Sequence, residues 1–186
     1  MSREVLGYRP SGSIASGLDA QTPIGSVSID PPATTAPTGW YFERFEVGTV
    51  FKSKSLTITR ELIYGFSDLT GDDNRLHTDP EFMLSSEFGD VIAHGLLLES
   101  LGIGLVADLG VFQGTTIALL AADCRFVHTA VPGDQIRVEL TITNKRLSTK
   151  PGRGVLFRTM RVINQRDEVL VESDLVSLMR TAPAGV

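Results

Sequence analysis

The stretch Gly95-Leu-Leu-Leu-Glu-Ser-Leu-Gly-Ile-Gly-Leu-Val-Ala-Asp-Leu109 constrains the fold more than any other part of the chain. It reads as a helix that is apolar on most of its faces, and such a helix must be wrapped by other structure. It is shorter than the roughly 20 residues a membrane span needs. Gly102 and Gly104 weaken helix propensity but let a sheet or helix approach closely. The wrapping has to come from the segments that follow. Thr115 to Val127 is long and β-rich. Gln135 to Leu147 alternates, with Ile136, Val138, Leu140 and Ile142 on one face. Val155 to Ile163 and Glu168 to Met179 add two more strands. The turns between them are Val131-Pro-Gly-Asp134, Lys150-Pro-Gly-Arg-Gly154 and Asn164-Gln-Arg-Asp167. With a strand expected over Thr49 to Ile58, the sequence predicts an α+β domain. About five antiparallel strands would cover one long central helix. The outer edges of such a sheet stay open, and a second copy could extend it.

Chemistry-bearing residues concentrate just before that helix, in Asp68-Leu-Thr-Gly-Asp-Asp-Asn-Arg-Leu-His77. Thr59 is a suitable N-cap, and Leu62, Ile63, Phe66 and Leu69 recur at helical spacing up to Leu69. Gly71 can take the positive φ of a sharp helix exit. Asp79-Pro80 looks like the cap and first residue of another helix, running to about Ser86. Asp72 and His77 therefore share one short loop pinned between helices, a suitable place to move a proton. Downstream, Ala93-His94-Gly95 opens the apolar helix, where free backbone N–H groups can receive a developing oxyanion. Plainer readings stand beside these. Asp72 can cap a turn, and His77 can be an ordinary loop residue. Asp73 can be solvated, Ser100 can satisfy its own helix backbone, and His94 and His128 can be structural.

Residues 1 to 38 are rich in Gly, Ser, Pro, Thr and Ala without a helical or strand period, so they read as a flexible tail, with one domain over 39–182. The aromatics of Trp40-Tyr-Phe-Glu-Arg-Phe45 are expected to cover a core edge. The formal net charge of −5 argues against nucleic acid as the main partner. The single cysteine, Cys124, permits no internal disulfide and reads as a small core residue. With no apolar run of membrane-span length and no signal-type apolar region at the N-terminus, the expected location is cytoplasmic.

Gly71-Asp72-Asp73-Asn74-Arg75-Leu76-His77 resembles the hydratase motif of the MaoC-like (R)-specific enoyl-CoA hydratases and dehydratases. Tyr41–Gly48, Phe88-Gly89, Ala93-His94-Gly95 and the Val131–Asp134 turn resemble that family too, so the likeness covers roughly residues 40 to 180. It implies a hot-dog fold, a sheet wrapped around a long helix. It also implies hydration of trans-2-enoyl-CoA thioesters to (R)-3-hydroxyacyl-CoA, with no metal or other cofactor. The expected partners are an acyl-CoA or acyl-carrier-protein thioester and a second copy, as a homodimer or a dimer of dimers. Residue by residue, Asp72 and His77 match the acid–base pair and Asn74 the loop-organising asparagine. Gly95 matches the glycine whose N–H faces the thioester oxygen, and Ser100 a serine near the catalytic water. Position 75 departs from the pattern: Arg75 replaces the usual proline, removing a φ restraint and adding a cation beside the substrate loop. Lys145, Arg146, Lys150 and Arg153 around one turn are candidates to meet the phosphates of CoA, against the plainer reading of a solvated hairpin tip. Two rivals are a hot-dog thioesterase using Glu99 on the central helix and a non-catalytic acyl-binding subunit.

Overall fold

The computed structural model describes residues 38–183. All but the last residue of the expected tail lies outside them. The expected first strand is broken in two, β1 (Val50–Lys52) and β2 (Leu56–Thr57). Lys52 pairs with Glu139 but Leu56 with Ile136, so one extra residue is accommodated between them. Ser53 makes the break: its Oγ accepts the Val138 N–H at 2.8 Å and donates to its neighbour's carbonyl, Lys54 O, at 2.7 Å.

The helices follow as α1 (Arg60–Thr70), α2 (Arg75–Thr78), α3 (Pro80–Met83) and α4 (Gly95–Ala107). Then come β3 (Thr116–Phe126), β4 (Gln135–Leu147), β5 (Arg153–Asn164) and β6 (Val169–Arg180). The strands form one antiparallel sheet in the order β1-β4-β5-β6-β3, with β2 also on β4. The helix over 80–86 expected from sequence stops at Met83, and Ser86 Oγ turns back onto the Met83 carbonyl at 2.7 Å.

The core lies between the sheet and α4. Ile136, Val138, Leu140 and Ile142 are all fully buried, as their alternation requires. Helix α4 lies close over β5 because Gly102 has no side chain: a Cβ there would meet Val162 Cγ2 at 2.8 Å. Wrapping is nevertheless incomplete. Leu96, Ser100, Gly104 and Ala107 form an exposed stripe along α4. Strand β3 is last in the sheet order and pairs only with β6 among the described residues. Most of β3 is therefore exposed, including Leu119 and Leu120, and Cys124 is half-buried rather than a core residue. Among the described residues no helix is long and apolar enough to cross a membrane.

Candidate active site

The Gly71–His77 segment is fixed by its own backbone. Helix α1 starts with Thr59 Oγ1 accepting the Leu62 N–H at 3.3 Å, and ends at Gly71, whose φ of 77° is the left-handed cap that glycine allows. Asn74 Oδ1 accepts the Leu76 N–H at 3.2 Å and so starts α2. His77 sits in that one-turn helix rather than in an open loop. Thr78 Oγ1 lies 3.0 and 3.2 Å from the carbonyls of Asp73 and Asn74. Asp79 caps α3 through the Phe82 N–H at 2.9 Å.

Two contacts bring this segment to the start of α4. Leu76 O accepts the Ile92 N–H at 3.0 Å. His77 Nδ1–H donates to Ile92 O at 2.7 Å. Because a carbonyl can only accept, Nδ1 carries a proton, and in the neutral ring Nε2 is then the nitrogen with the lone pair. His94 packs beneath, its ring 3.6 Å from that of His77 and nearly parallel. His94 Nε2–H donates to the backbone carbonyl of Asp72 at 3.1 Å and lies 3.3 Å from Ser67 Oγ. Burial, the largest influence, pushes the pKa of His94 down, with a further push from His77; its contacts with Asp72 only partly oppose this.

Asp72, His77, His94 and Gly95 line one cleft of about 360 Å³ with Phe66, Thr70, Leu96 and Phe126. One side-chain donor atom from each of Asp72, His77 and His94 lies within 4.8 Å of the others, so these three could also hold a metal ion. Gly95 is the first residue of α4, and among the described residues no side chain caps that end. Its N–H is thus one of the helix's unpaired donors. A Cβ at Gly95 would meet the Phe126 ring at 2.7 Å, so the ring can lie over the helix start only because residue 95 is glycine. A second cavity of about 560 Å³ shares His77, Gly95 and Phe126 and continues toward His128, Arg166 and Glu168.

Asp72, His77 and Gly95 are thus together; the other candidates from sequence are elsewhere. Asn74 caps α2 and does not line the cleft. Ser100 is exposed and donates to its own helix, to Leu96 O at 2.7 Å. Arg75 points along the outside, paired with Asp79 at 2.8 Å and stacked 4.2 Å over Phe82, so it clamps α2 to α3. Lys145 donates to the carbonyls of Glu43 and Phe45, at 3.0 and 2.6 Å, and holds the 3₁₀ turn Phe42–Arg44 against β4. The whole Lys145–Arg153 turn is misplaced for a role at this chain's cleft. Eleven residue steps separate the Ile136↔Asn164 pair from Leu147↔Gly154, about 36 Å of strand. The cleft is at the first end and the four cations at the other. Spacing in sequence cannot tell which end of a hairpin faces a site.

Glu99, the carboxylate a thioesterase would need, is buried against the sheet, where it accepts the Ser173 hydroxyl at 2.6 Å. It lines neither cavity beside His77. Sequence reasoning missed Phe126 and Arg166. The only signal for Phe126 was its place at the end of a β-rich run, and Arg166 looked like part of an ordinary turn.

The family model described as the MaoC like domain matches residues 44–159, and the chain belongs to the MaoC-like dehydratase family. Protein MaoC of Klebsiella aerogenes is 35% identical over 105 residues, 56% of this chain but only 31% of that protein. The (R)-specific enoyl-CoA hydratase of Aeromonas caviae is 30% identical over 114 residues, 61% of this chain and 81% of that protein. A solved structure from Archaeoglobus, described as a monoamine oxidase regulatory protein, superposes with a TM-score of 0.72 at 30% identity, covering 78% of this chain and 97% of that one. A Mycobacterium tuberculosis protein described as a double hotdog fold matches with a TM-score of 0.71 at 22% identity, covering 80% of this chain and 46% of that one. That likeness bears on architecture alone, and the fold here is the hot-dog fold.

Proposed function

We propose that the chain catalyses the reversible hydration of trans-2-enoyl thioesters, carried by CoA or an acyl-carrier protein, to (R)-3-hydroxyacyl thioesters. The observation that carries this reading is the meeting of the Asp72 carboxylate, the Nε2 of His77, whose Nδ1 is engaged with the Ile92 carbonyl, and the Gly95 N–H at one cleft. In hydration, one water supplies hydroxide to C3 and a proton to C2. His77 Nε2 and Asp72 hold the water, and one of them takes its proton as the C3–O bond forms. The proton is then returned to C2. The thioester oxygen gains charge as the enolate forms and is met by the Gly95 N–H, reinforced by the positive end of the α4 dipole.

These steps use only proton transfer and hydrogen bonding, so the proposed reaction needs no metal or redox cofactor. The Nε2–H of His94 is already committed to the Asp72 carbonyl, which favours a positioning role over ligation. The inward, hydrogen-bonded Glu99 weighs against the thioesterase reading. The working form is proposed to be a dimer joined along β3, whose outer edge and apolar Leu119 and Leu120 have no cover among the described residues.

Incubation with crotonyl-CoA tests the reading directly. Loss of the conjugated absorbance without release of free thiol is the expected result. Thiol release would instead identify a thioesterase. No reaction with enoyl-CoA substrates of several chain lengths would favour a binding subunit.

A further inference from the structure

Asp90 stands at the head of the short segment that delivers three parts of the cleft. Ile92 supplies the carbonyl that takes the His77 Nδ1–H at 2.7 Å, His94 packs under His77, and Gly95 opens α4. The approach to Asp90 is loosely tied. From Leu84 to Gly89 the hydrogen bonds among the described residues are local, none reaching a residue before Pro80. The chain then turns at Gly89, whose φ of 69° is left-handed. Asp90 makes the first bond to another element. Its Oδ1 accepts the N–H of its own neighbour, Val91, at 2.7 Å, and its Oδ2 accepts Nη2 of Arg60 at 2.6 Å. Arg60 is the first residue of α1. Beyond Asp90 the backbone is fixed: the Ile92 N–H goes to Leu76 O at 3.0 Å and the Ala93 N–H to Ala130 O at 2.8 Å. The segment then meets α1 again, where His94 Nε2 lies 3.3 Å from Ser67 Oγ.

The Arg60–Asp90 pair is partly exposed, 40% and 27% for the two side chains. Pairs of that kind add little to stability. A short charge-assisted contact does fix direction, and proton transfer is sensitive to direction: a misplacement of about 1 Å costs about 100-fold. Neither residue belongs to the stretches that carry the family resemblance. We propose that Arg60 and Asp90 are positioning residues for the hydration. Their pair sets where the Asp90–Gly95 segment begins, and through Ile92 O it holds the His77 ring in the orientation that serves the water. The catalytic consequence rests on the hydratase reading; the placement of His77 does not.

The test uses the full chain, with crotonyl-CoA for kinetics and imidazole NMR for His77. In wild type the His77 Nδ1–H, bonded to Ile92 O, is expected to give a slowly exchanging signal. Asp90→Asn keeps an oxygen for the Val91 N–H and loses the charge, and Arg60→Gln removes the guanidinium. Each is expected to lower turnover by about tenfold, with the Michaelis constant and the melting midpoint nearly unchanged. Each should also broaden or weaken the His77 signal. Either variant supplies the test if the other does not fold. The double variant should lose no more than a single one, because both break the same contact. Glu139→Gln removes the partner of Lys52, a pair of 2.9 Å elsewhere on the sheet, and should leave turnover and the signal as in wild type. Unchanged turnover in either folded variant, beside an active wild type, overturns the proposal, and so does an unchanged His77 signal. Losses that multiply in the double variant overturn it too. A loss in Glu139→Gln as large as in Asp90→Asn, or a fall in turnover that tracks a collapsed melting midpoint, would make the pair merely structural. If wild type hydrates no enoyl-CoA, the hydratase reading falls and the His77 signal alone decides the proposal.

Discussion

At the N-terminal end of α4 the polar groups come mainly from two stretches close in sequence, Asp72–His77 and His94–Gly95, whereas at its C-terminal end a lone cation is set among side chains drawn from four elements. The first end is partly open: Asp72 is exposed, and His77 is pinned through one ring nitrogen while the other stays free. The second end buries Arg158 and leaves part of its hydrogen-bonding capacity unused. One helix thus carries an end suited to moving protons and an end suited to holding a fixed charge. What separates them is the imidazole: histidines line the first cleft and none lines the second.

The sharpest way to break this contrast is to remove the groups proposed to move the proton. Asp72→Asn and His77→Ala are each expected to lower enoyl-CoA hydration by about 10²–10⁴-fold, the usual loss for a positioned acid or base. Both should melt as wild type does. Chelation of metals should leave wild-type turnover intact, because the proposed steps use none. Turnover near wild type in either variant would remove that residue from the mechanism. Activity lost to a chelator and restored by one metal would turn Asp72, His77 and His94 into a metal centre.

A second test concerns what holds the cleft end together. Asp134 is buried, and its carboxylate accepts from the Val131 N–H at 3.0 Å, Gln165 Nε2 at 2.6 Å and Arg166 Nη1 at 3.3 Å. Asp134→Ala leaves the first two donors without an acceptor and should destabilise the fold by about 1–3 kcal/mol. Chemical denaturation measures this. An unchanged midpoint would mean that water or a rearranged turn replaces the carboxylate.

His94 gives a smaller, pH-dependent effect. Its pKa in the folded chain lies below the ordinary histidine value, chiefly through burial. In acid the unfolded chain therefore takes up a proton at this position that the folded chain resists. The stability His94 contributes is fully present above about pH 6.5 and is lost as the pH falls from there toward the lowered folded value. Thermal melts between pH 7.5 and 5 should show wild type losing more stability than His94→Gln. Parallel pH curves would show that His94 is as free to charge in the folded chain as in the unfolded one.

Much of the first end was legible because it is local. Gly71 as a left-handed cap, Asp79 before Pro80, and Gly95 at the start of an apolar helix follow from the neighbours of each residue. The strands were legible through alternation, and β4 follows its pattern at every buried position. What could not be read depends on pairing between distant segments. The place of β3 at the edge, the inward turn of Glu99 and the unpaired burial of Arg158 are set by sheet order. The same holds for the Lys145–Arg153 turn, which looked like a phosphate clamp until the direction of β4 put it far from the cleft.

Arg75 gives the smallest expected effect and separates two readings of one side chain. As a substrate-contacting cation it would hold part of the thioester carrier. Removing it would then raise the Michaelis constant, and more so for a CoA ester than for a short acyl-pantetheine lacking the nucleotide. In the structure its guanidinium is engaged on the outside of the loop, with Asp79 at 2.9 and 2.8 Å and over the Phe82 ring. The Phe82 N–H, first, and then Arg75 hold the Asp79 carboxyl below its usual range. Exposed pairs of this kind contribute little to stability and are screened by salt. Arg75→Ala is therefore expected to leave the Michaelis constants for both substrates unchanged and to lower the melting midpoint only slightly, by less at high salt than at low. Arg75→Pro should do the same if the proline usual in the family serves only to restrain φ. A selective rise for the CoA ester in both variants would return Arg75 to the substrate and give the cleft end a fixed charge of its own.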